Sequence, residues 1–368
     1  MSKQSEKLSF FDCLPEAVAA QLVDWGWPAY RADQMCQWVY GRLVGEISKM
    51  TNLSLSDRRG LAERVAMVSA QVQRAQTSAD GTIKLLLAWP DGSVAETVMI
   101  PEADRFTACV SSQVGCPVGC RFCASGLGGL QRNLSAGQIV EQVFALNARL
   151  APRGRRITNV VFMGMGEPLA NYAAVLRAVR IMHHPKAFGL GARRLTISTV
   201  GVPAKMRQLA AEGLPLNLAI SLHAPDENLR RELIPWARHF ALAEVMAAAR
   251  DYFGATGREL TLEYILLAGV NDKPEYARKL AGLCRGLRAN VNLIRYNPVP
   301  GLPYRRPAAA EAQRFQRALR GHGINAHLRR SRGQDIEAAC GQLRRREQES
   351  KSAAVTVGVS VGGEAKGS

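Results

Sequence analysis

Three cysteines of this chain, Cys116, Cys120 and Cys123, follow one another at C-x3-C-x2-C spacing. Cysteine thiolates are the usual ligands of iron–sulfur clusters. Three closely spaced thiolates can bind three irons of a [4Fe–4S] cluster and leave the fourth iron open. An open iron can bind a small molecule and pass an electron into it. The spacing therefore predicts a [4Fe–4S] cluster held by these three cysteines.

A zinc site is the alternative for the same cysteines. Cys120 and Cys123 form a C-x2-C pair, and His322 and His327 form an H-x4-H pair. A zinc finger places two such pairs about a dozen residues apart. Here most of the second half of the chain separates them, so the spacing favours the cluster.

An alternation of strand, loop and helix begins near residue 106. Apolar runs of strand length cover residues 106–111, 157–163, 194–199, 216–222, 260–267 and 290–296, with a shorter one at 324–328. Helical periodicity lies between them, as at residues 136–150, 172–183, 242–252 and 276–287. This order is typical of a parallel sheet with crossover helices. Six units predict an α/β fold built as a partial (βα)6 barrel.

Four regions follow one another along the chain. They are a small helical module, a short β region, the barrel core and a tail: residues 1–68, 69–104, 105–347 and 348–368. Apolar residues at helical spacing define the first region, and Asp-Gly turn signals separate the strands of the second. The tail is rich in Ser, Gly, Ala and Val without periodicity, so we predict that it is disordered.

Polar residues recur where the predicted barrel strands end. They are Gly166 and Glu167 after the second strand, Ser198 at the end of the third, Ser221, Leu222 and His223 at the fourth, and Asn297 after the sixth. Glycine lets the backbone approach a ligand closely, and a glutamate can pair with an ammonium group. Ligands of barrel-like α/β folds bind at the carboxyl ends of the strands. We therefore expect these residues to line one ligand site.

The chain carries a formal net charge of +17. Arginines crowd several short segments, at residues 153–156, 193–194, 305–306 and 329–332. Arginine pairs well with phosphate and stacks on bases. The charge predicts a nucleic-acid partner, and a merely basic soluble surface is the alternative.

Composition limits the class of protein further. Eight cysteines in 368 residues are too few for a disulfide scaffold. No run approaches the roughly 18 apolar residues of a membrane span, and residues 1–11 lack the apolar core of a signal peptide. We expect a cytoplasmic protein without membrane association, in a reducing compartment that suits an oxygen-sensitive cluster.

Several segments together resemble one enzyme family. They are residues 107–116, 165–169, 221–224, 297–301, 332–335 and 339–341. They look like the adenine-C2 RNA methyltransferases of the radical SAM class, and the similarity runs in order from about residue 14 to residue 343. The resemblance implies S-adenosylmethionine (SAM) and a [4Fe–4S] cluster as cofactors. It also implies 23S rRNA and some tRNAs as substrates, a monomer, and an electron donor such as flavodoxin or ferredoxin.

The same resemblance implies roles for individual residues. Cys340 corresponds to the methyl carrier, Cys109 to the cysteine that resolves the intermediate as a transient disulfide, and Glu96 to the proton acceptor. Gly166, Glu167, Ser198, Ser221, Leu222, His223 and Asn297 correspond to SAM contacts. Without the resemblance, we would interpret Glu96 as a solvated residue of a strand. Ser125 departs from the family pattern, which has a threonine there.

Three other functions remain open at this point. A related class methylates adenine C8 and shares the cluster motif and both accessory cysteines. A methylthiotransferase would need a second cysteine triad, whereas only Cys13 and Cys36 lie early in this chain. A non-enzymatic iron–sulfur protein that binds RNA or transfers electrons would have no use for Cys340.

Overall fold

The computed structural model describes residues 7–343. The predicted tail at 348–368, the last predicted core residues at 344–347, and residues 1–6 lie outside the described residues. In the described range the strands are β1 (Leu8–Ser9), β2 (Val65–Ala66), β3 (Gln71–Thr77), β4 (Ile83–Ala88), β5 (Val94–Glu102), β6 (Arg105–Cys109), β7 (Gln113–Gly115), β8 (Leu130–Asn133), β9 (Asn159–Phe162), β10 (Leu195–Thr199), β11 (Asn217–Ser221), β12 (Leu260–Leu266), β13 (Ala289–Arg295) and β14 (Ala326–Arg329). The α-helices are α1 (Pro15–Asp24), α2 (Tyr30–Cys36), α3 (Leu55–Arg64), α4 (Ala136–Leu150), α5 (Tyr172–His183), α6 (Pro203–Ala210), α7 (Glu227–Leu233), α8 (Leu242–Thr256), α9 (Pro274–Leu283) and α10 (Ala309–Gly321).

The barrel strands form a continuous parallel row. β6, β9, β10, β11, β12, β13 and β14 are neighbours in that order. Helices α4 to α10 provide the connections between them. β14 lies at one edge of the sheet as described, so the barrel is partial rather than closed. The predicted α/β fold with six strand–helix units is confirmed, including the seventh short strand.

The predicted β region extends the same sheet. β3, β4 and β5 are antiparallel to one another, and β5 also pairs antiparallel with the first barrel strand, β6. Gly81 and Gly92 have φ values of 82° at the two Asp-Gly turns, a backbone region that glycine enters readily. Val98 of β5 lies opposite Cys109 of β6, which fixes how this extension meets the barrel.

The helices cover the sheet with apolar faces. Helix α4 begins with a capping box in which Ser135 and Gln138 bond each other's backbone amides. Predicted helices 136–150 and 172–183 coincide with α4 and α5, whereas α8 continues beyond the predicted end to Thr256.

None of the helices within residues 7–343 is both long and apolar enough to cross a bilayer.

The N-terminal helices pack directly on the barrel. Helices α1, α2 and α3 form within residues 1–68, where the apolar spacing predicts helices. The ring of Phe11 contacts Phe144 of α4 with the centroids 5.3 Å apart. The Asp12 carboxylate accepts a hydrogen bond of 2.5 Å from the Gly137 amide in the first turn of α4. A Cβ at Gly137 would lie 2.7 Å from that carboxylate, so glycine permits the close approach.

Candidate active site

A cavity of about 150 Å³ lies at the carboxyl ends of the parallel strands. Its lining includes Cys116, Cys120 and Cys123 from the loop after β7. It also includes five of the residues predicted at the ends of the barrel strands, called rim residues below: Gly166, Glu167, Ser198, Ser221 and His223. Residues that are more than a hundred positions apart in the sequence therefore meet at one edge of the barrel.

Strands β7 and β8 hold the cysteine loop, which comprises residues 116–129. The two strands pair antiparallel, and the Cys116 amide donates a hydrogen bond of 3.0 Å to the Gly129 carbonyl. Gly115 has a φ of 76°, and a Cβ there would lie 2.0 Å from the Gly129 oxygen. Glycine is therefore required where the loop begins.

The cysteine loop packs on a separate apolar cluster beside α7. Val118 and Phe122 from the loop join Leu233 and Ile234 in this cluster. The Arg121 amide donates a hydrogen bond of 3.0 Å to the Leu233 carbonyl. Packing on one side and strand pairing on the other fix the positions of the three thiols before any ligand binds.

The three thiols fit a cluster better than a single metal ion. Within residues 7–343, no three His, Cys, Asp or Glu side chains converge on a point where one ion could bind. Cluster thiolates bind different irons, so their sulfurs need not converge. Burial raises the pKa of all three thiols, to about 12 for Cys116. Three neighbouring thiolates therefore need a cationic centre among them.

The histidines of the zinc alternative lie elsewhere. His322 is exposed at the end of α10, and His327 borders a different cavity. Neither side chain lines the cavity of the three cysteines. The geometry of the described residues gives the zinc alternative no support.

Glu167 is fixed in the cavity wall by backbone amides. Its Oε1 accepts from Leu169 and its Oε2 from Val200, both at 2.9 Å, and its own amide donates to Gln113. Burial raises the pKa of this carboxyl, and the amides of Val200 and Leu169 work against that rise. Each oxygen retains a lone pair beyond its amide bond, so the carboxylate can still accept from an ammonium group.

Gly166 shapes the turn that carries Glu167. Its φ is 109°, and a Cβ there would lie 2.7 Å from both Gln113 Cβ and Ser112 Oγ. The turn can pack against residues 112–113 only with glycine at this position. Gly166 thus brings the backbone, and with it Glu167, up to the cysteine cavity.

Ser198, Ser221 and His223 lie next to one another in the cavity. The hydroxyl oxygens of the two serines are 3.3 Å apart. His223 Nδ1 accepts a hydrogen bond of 3.1 Å from the Ile265 amide, which places a proton on Nε2 of the neutral ring. Burial, and then the charge of Arg230, lower the pKa of His223 to about 3. Leu222 is wholly buried and its side chain does not line this cavity.

A second cavity, of about 90 Å³, joins three cysteines from distant parts of the chain. Cys109 of β6, Cys123 of the cysteine loop and Cys340 all line it, and Cys340 lines the first cavity as well. Burial is the largest cause that raises the pKa of Cys109, to about 12, and that of Cys340. The pair of thiols singled out by the resemblance therefore meets beside the cysteine triad.

Arg329 is the cation that acts on both accessory thiols. Its charge opposes the effect of burial on the pKa of Cys340 and on that of Cys109. Its Nη1 lies 3.8 Å from Oε2 of the buried Glu263, and Glu263 Oε1 accepts from Asn292 at 3.0 Å. Sequence reasoning missed this pair. A glutamate within the apolar run of β12 was the available signal.

Asn297 and Glu96 lie outside the first cavity. Asn297 borders the second cavity and donates a hydrogen bond of 3.2 Å to the Cys340 carbonyl. Glu96 borders a third cavity with the turn at residues 335–337, and its Oε1 lies 3.1 Å from Lys84 Nζ. Lys84 also contacts the Glu337 carbonyl at 3.3 Å. Lys84 thus connects Glu96 with the segment that leads to Cys340.

Known proteins share both the fold and the sequence of this chain. Residues 110–281 match the radical SAM superfamily, and residues 10–67 match the ribosomal RNA large subunit methyltransferase N-terminal domain. A protein of Gloeobacter violaceus named "Probable dual-specificity RNA methyltransferase RlmN" is 48% identical over 87% of this chain and 90% of its own length. This chain belongs to the RlmN family. A relative of the same name from Symbiobacterium thermophilum is 49% identical over 90% of both chains.

A solved structure extends the RlmN-family similarity to three dimensions. The crystal structure of a radical SAM methyltransferase from Sphaerobacter thermophilus has a TM-score of 0.90 and 46% identity, over 92% of this chain and 99% of that chain. The predicted radical SAM fold and the predicted resemblance are therefore confirmed. Membership of the radical SAM class implies SAM and an iron–sulfur cluster, for which the three cysteines are the matching donors.

Proposed function

We propose that this RlmN-family protein methylates C2 of an adenosine in 23S rRNA and in some tRNAs, with Cys340 as an intermediate methyl carrier. The observation that carries the proposal is the shared cavity of Cys109, Cys123 and Cys340. A methyl group on Cys340 would lie between the cluster ligands and the thiol that resolves the intermediate. A protein that only bound RNA or transferred electrons would have no need for this arrangement.

The first cavity would hold SAM against the cluster. When bound, the cluster supplies the electron that splits SAM into methionine and a 5′-deoxyadenosyl radical. Glu167 would accept the methionine ammonium group, and Ser198, Ser221 and neutral His223 would bond polar atoms of SAM. The Val118 and Phe122 side chains beside the thiols exclude water from the site.

Adenine C2 is an electron-poor carbon, which cannot attack the methyl group of SAM as a nucleophile. Cys340 would first take a methyl group from one SAM as a thiolate and release S-adenosylhomocysteine. The adenosyl radical from a second SAM would remove hydrogen from this S-methyl group, and the resulting carbon radical would add to C2. The Arg329 guanidinium favours the thiolate that begins this sequence.

Release of the product would use Glu96 and Cys109. Glu96 would accept the C2 proton, and the surplus electron of the radical adduct would pass back to the oxidised cluster. The Cys109 thiol would then attack the sulfur of Cys340, so that the bond from this sulfur to the CH2 carbon breaks and the thiol proton completes the methyl group on C2. The Cys109–Cys340 disulfide that remains is opened by an external reductant. The contacts of Lys84 with Glu96 and with the Glu337 carbonyl support the assignment of Glu96, because they connect it to the segment that carries Cys340.

A polar cavity next to the cavity of the three thiols supports an RNA substrate. Its volume is about 860 Å³, and it shares Met163, Glu263 and Arg329 with the first cavity. Strands β6 and β9 to β13 each contribute one threonine or asparagine to its lining: Thr107, Asn159, Thr196, Asn217, Thr261 and Asn292. Such barrels are usually filled by branched apolar side chains. Here polar groups leave open space, and Arg330 and Arg332 at its border suit a phosphate backbone.

Nucleoside analysis tests the proposal. The anaerobically reconstituted protein would be incubated with SAM, a low-potential flavodoxin or ferredoxin system, and either unmodified 23S rRNA or tRNA. We expect 2-methyladenosine in the digested RNA by mass spectrometry. 8-Methyladenosine instead would assign the protein to the C8 class, and unmodified RNA in the presence of an intact cluster would favour the non-enzymatic alternative.

A further inference from the structure

Arg230 is a fully buried arginine behind the cysteine loop. It lies on α7, its side chain is 1% exposed, and it is not part of the lining of the first cavity. Its Nη2 donates a hydrogen bond to the Val200 carbonyl, and its Nε has no hydrogen-bond partner within residues 7–343. Nothing in the sequence distinguishes Arg230 from its neighbour Arg231.

No carboxylate of the described residues forms an ion pair with Arg230 within 4.0 Å, although the charge of Glu227 does act on its pKa. Glu227 is one turn earlier on the same helix, but its Oε1 lies 2.8 Å from Arg231 Nε and its Oε2 accepts from the Leu242 amide. A buried charge without a partner costs several kcal/mol, so natural proteins rarely keep one without a counter-charge.

The cysteine loop supplies a further negative charge once its thiolates are bound to a cluster. Leu233, one turn after Arg230 on α7, accepts a hydrogen bond of 3.0 Å from the amide of Arg121, the residue after Cys120. The charges of Glu227 and then of Cys120 raise the pKa of Arg230, against the larger effect of burial. Thiolates bound to a cluster are therefore a second anionic group, besides Glu227, that this arginine can compensate.

Arg230 also holds the wall of the SAM cavity. The carbonyl of Val200 accepts a hydrogen bond from Arg230, and the amide of Val200 donates one of 2.9 Å to Glu167. One residue thus connects the buried cation with the carboxylate that faces the ligand. The helix that carries Arg230 is in turn bonded to the cysteine loop through Arg121 and Leu233.

We propose that Arg230 is a positioning residue that compensates the negative charge of the cluster at Cys120 and raises its reduction potential. The proposal depends on the cluster assignment made under the proposed function. Reduction adds one electron and no proton to the cluster, so its negative charge grows by one. A fixed cation nearby stabilises the reduced form more than the oxidised form.

Redox titration of the reconstituted full-length protein tests this role. The reduced cluster would be counted by electron paramagnetic resonance while dithionite lowers the potential, with no SAM present. The variants are Arg230→Met, which removes the charge at similar volume, and Arg230→Lys, which keeps it. Arg231→Met is the matched control, because Arg231 is on the same helix and half exposed.

We expect Arg230→Met to lower the ratio of reduced to oxidised cluster at least tenfold at a given potential, a shift of 59 mV for one electron. In Arg230→Lys this ratio should return most of the way to the wild-type value, and in Arg231→Met it should equal the wild-type value. Failure of Arg230→Met to retain a cluster that Arg230→Lys retains would equally support the role.

Other outcomes would overturn it. They are an unchanged potential in Arg230→Met, an equal shift in Arg231→Met, equal shifts in the Met and Lys variants, and loss of the cluster from both. An unchanged potential with weakened SAM binding would assign Arg230 to the carboxylate of SAM instead. If the wild type itself binds no cluster, the proposed function fails, which is a different result from a wild-type cluster insensitive to Arg230.

Discussion

The backbone amide of Ala124 donates a hydrogen bond of 2.8 Å to the carbonyl of Gly341. Ala124 follows the last cysteine of the triad, and Gly341 follows Cys340. This contact, together with the bond of 2.8 Å from the Ser125 hydroxyl to the Leu343 carbonyl, fixes the C-terminal segment on the cysteine loop. The position of Cys340 next to the cluster ligands is therefore set by backbone bonds rather than by its own side chain.

Replacement of Cys340 by alanine should abolish RNA methylation and leave the cluster intact. The thiol is the proposed methyl carrier, whereas the proposed cluster ligands are Cys116, Cys120 and Cys123. Methylation would be measured by mass spectrometry of nucleosides, and the cluster by its visible absorption. Cys284→Ala is the control, because Cys284 is buried away from both cavities. Turnover by Cys340→Ala would contradict the methyl-carrier role.

Replacement of Cys109 by alanine should stop the reaction after the carbon radical has added to RNA. Without a thiol to attack Cys340, the bond between protein and RNA would persist. We expect a covalent complex that migrates slowly in a denaturing gel and that requires SAM and reductant to form. A fully active Cys109→Ala protein would show that another group resolves the intermediate.

The Ser125 hydroxyl should matter more for turnover than for cluster binding. It also bonds the Cys123 thiol, but the backbone amides of Ser125 and Gly126 bond that thiol as well and remain in Ser125→Ala. Ser125→Ala would leave the Leu343 carbonyl without its donor, at a cost of about 1–3 kcal/mol in the attachment of the Cys340 segment. We expect a several-fold lower methylation rate at normal iron and sulfide content. Ser125→Thr retains the hydroxyl and should behave as the wild type. Equal rates in all three proteins would show that the contact is dispensable.

Asp80 should stabilise the segment before Cys340 in a pH-dependent manner. Its Oδ2 accepts a hydrogen bond of 3.0 Å from the Gly333 amide. Burial alone would raise the pKa of Asp80, but hydrogen bonds from Thr82 and Gly333 outweigh it and lower the pKa from 3.8 to about 2. Since the folded pKa is the lower one, this stabilisation is complete above about pH 4 and is lost as the pH falls towards about 2.

Asp80→Asn should therefore lower the free energy of unfolding at pH 7 by about 1 kcal/mol and lose this part of the acid dependence. Urea unfolding at several pH values measures both effects. Asp104→Asn changes an exposed aspartate in the turn between β5 and β6 and serves as the control. A difference from the wild type that stays constant down to pH 2 would argue against the Asp80 contact as its source.

Local patterns in the sequence were sufficient for the elements and for part of the site. The apolar runs predicted the barrel strands because a buried parallel strand and an amphipathic helix each impose their own spacing on the residues they contain. The cysteine triad was recognisable because its ligands come from one short loop. The rim residues Gly166, Ser198 and His223 were predictable because parallel strands all end at the same edge of the sheet.

Contacts between distant segments were decided only by the tertiary structure. Cys109 and Cys340 are 231 positions apart, and their shared cavity depends on how the C-terminal segment returns to the cysteine loop. Without the family resemblance, nothing local distinguishes Cys340 from a buried cysteine. Likewise Glu96 lies on β5, in the predicted β region, yet Lys84 and the turn at 335–337 place it in a separate cavity.

The sequence by itself determined which residue types could bind a cluster and SAM, and on which elements they lie. It could not determine which charges are buried, because burial depends on every segment that packs around a side chain. Arg230 and Arg231 are adjacent in the chain, yet only Arg230 is enclosed behind the cysteine loop. Glu263 and Arg329 come from different strands, and their pairing follows from the order in which β12, β13 and β14 associate.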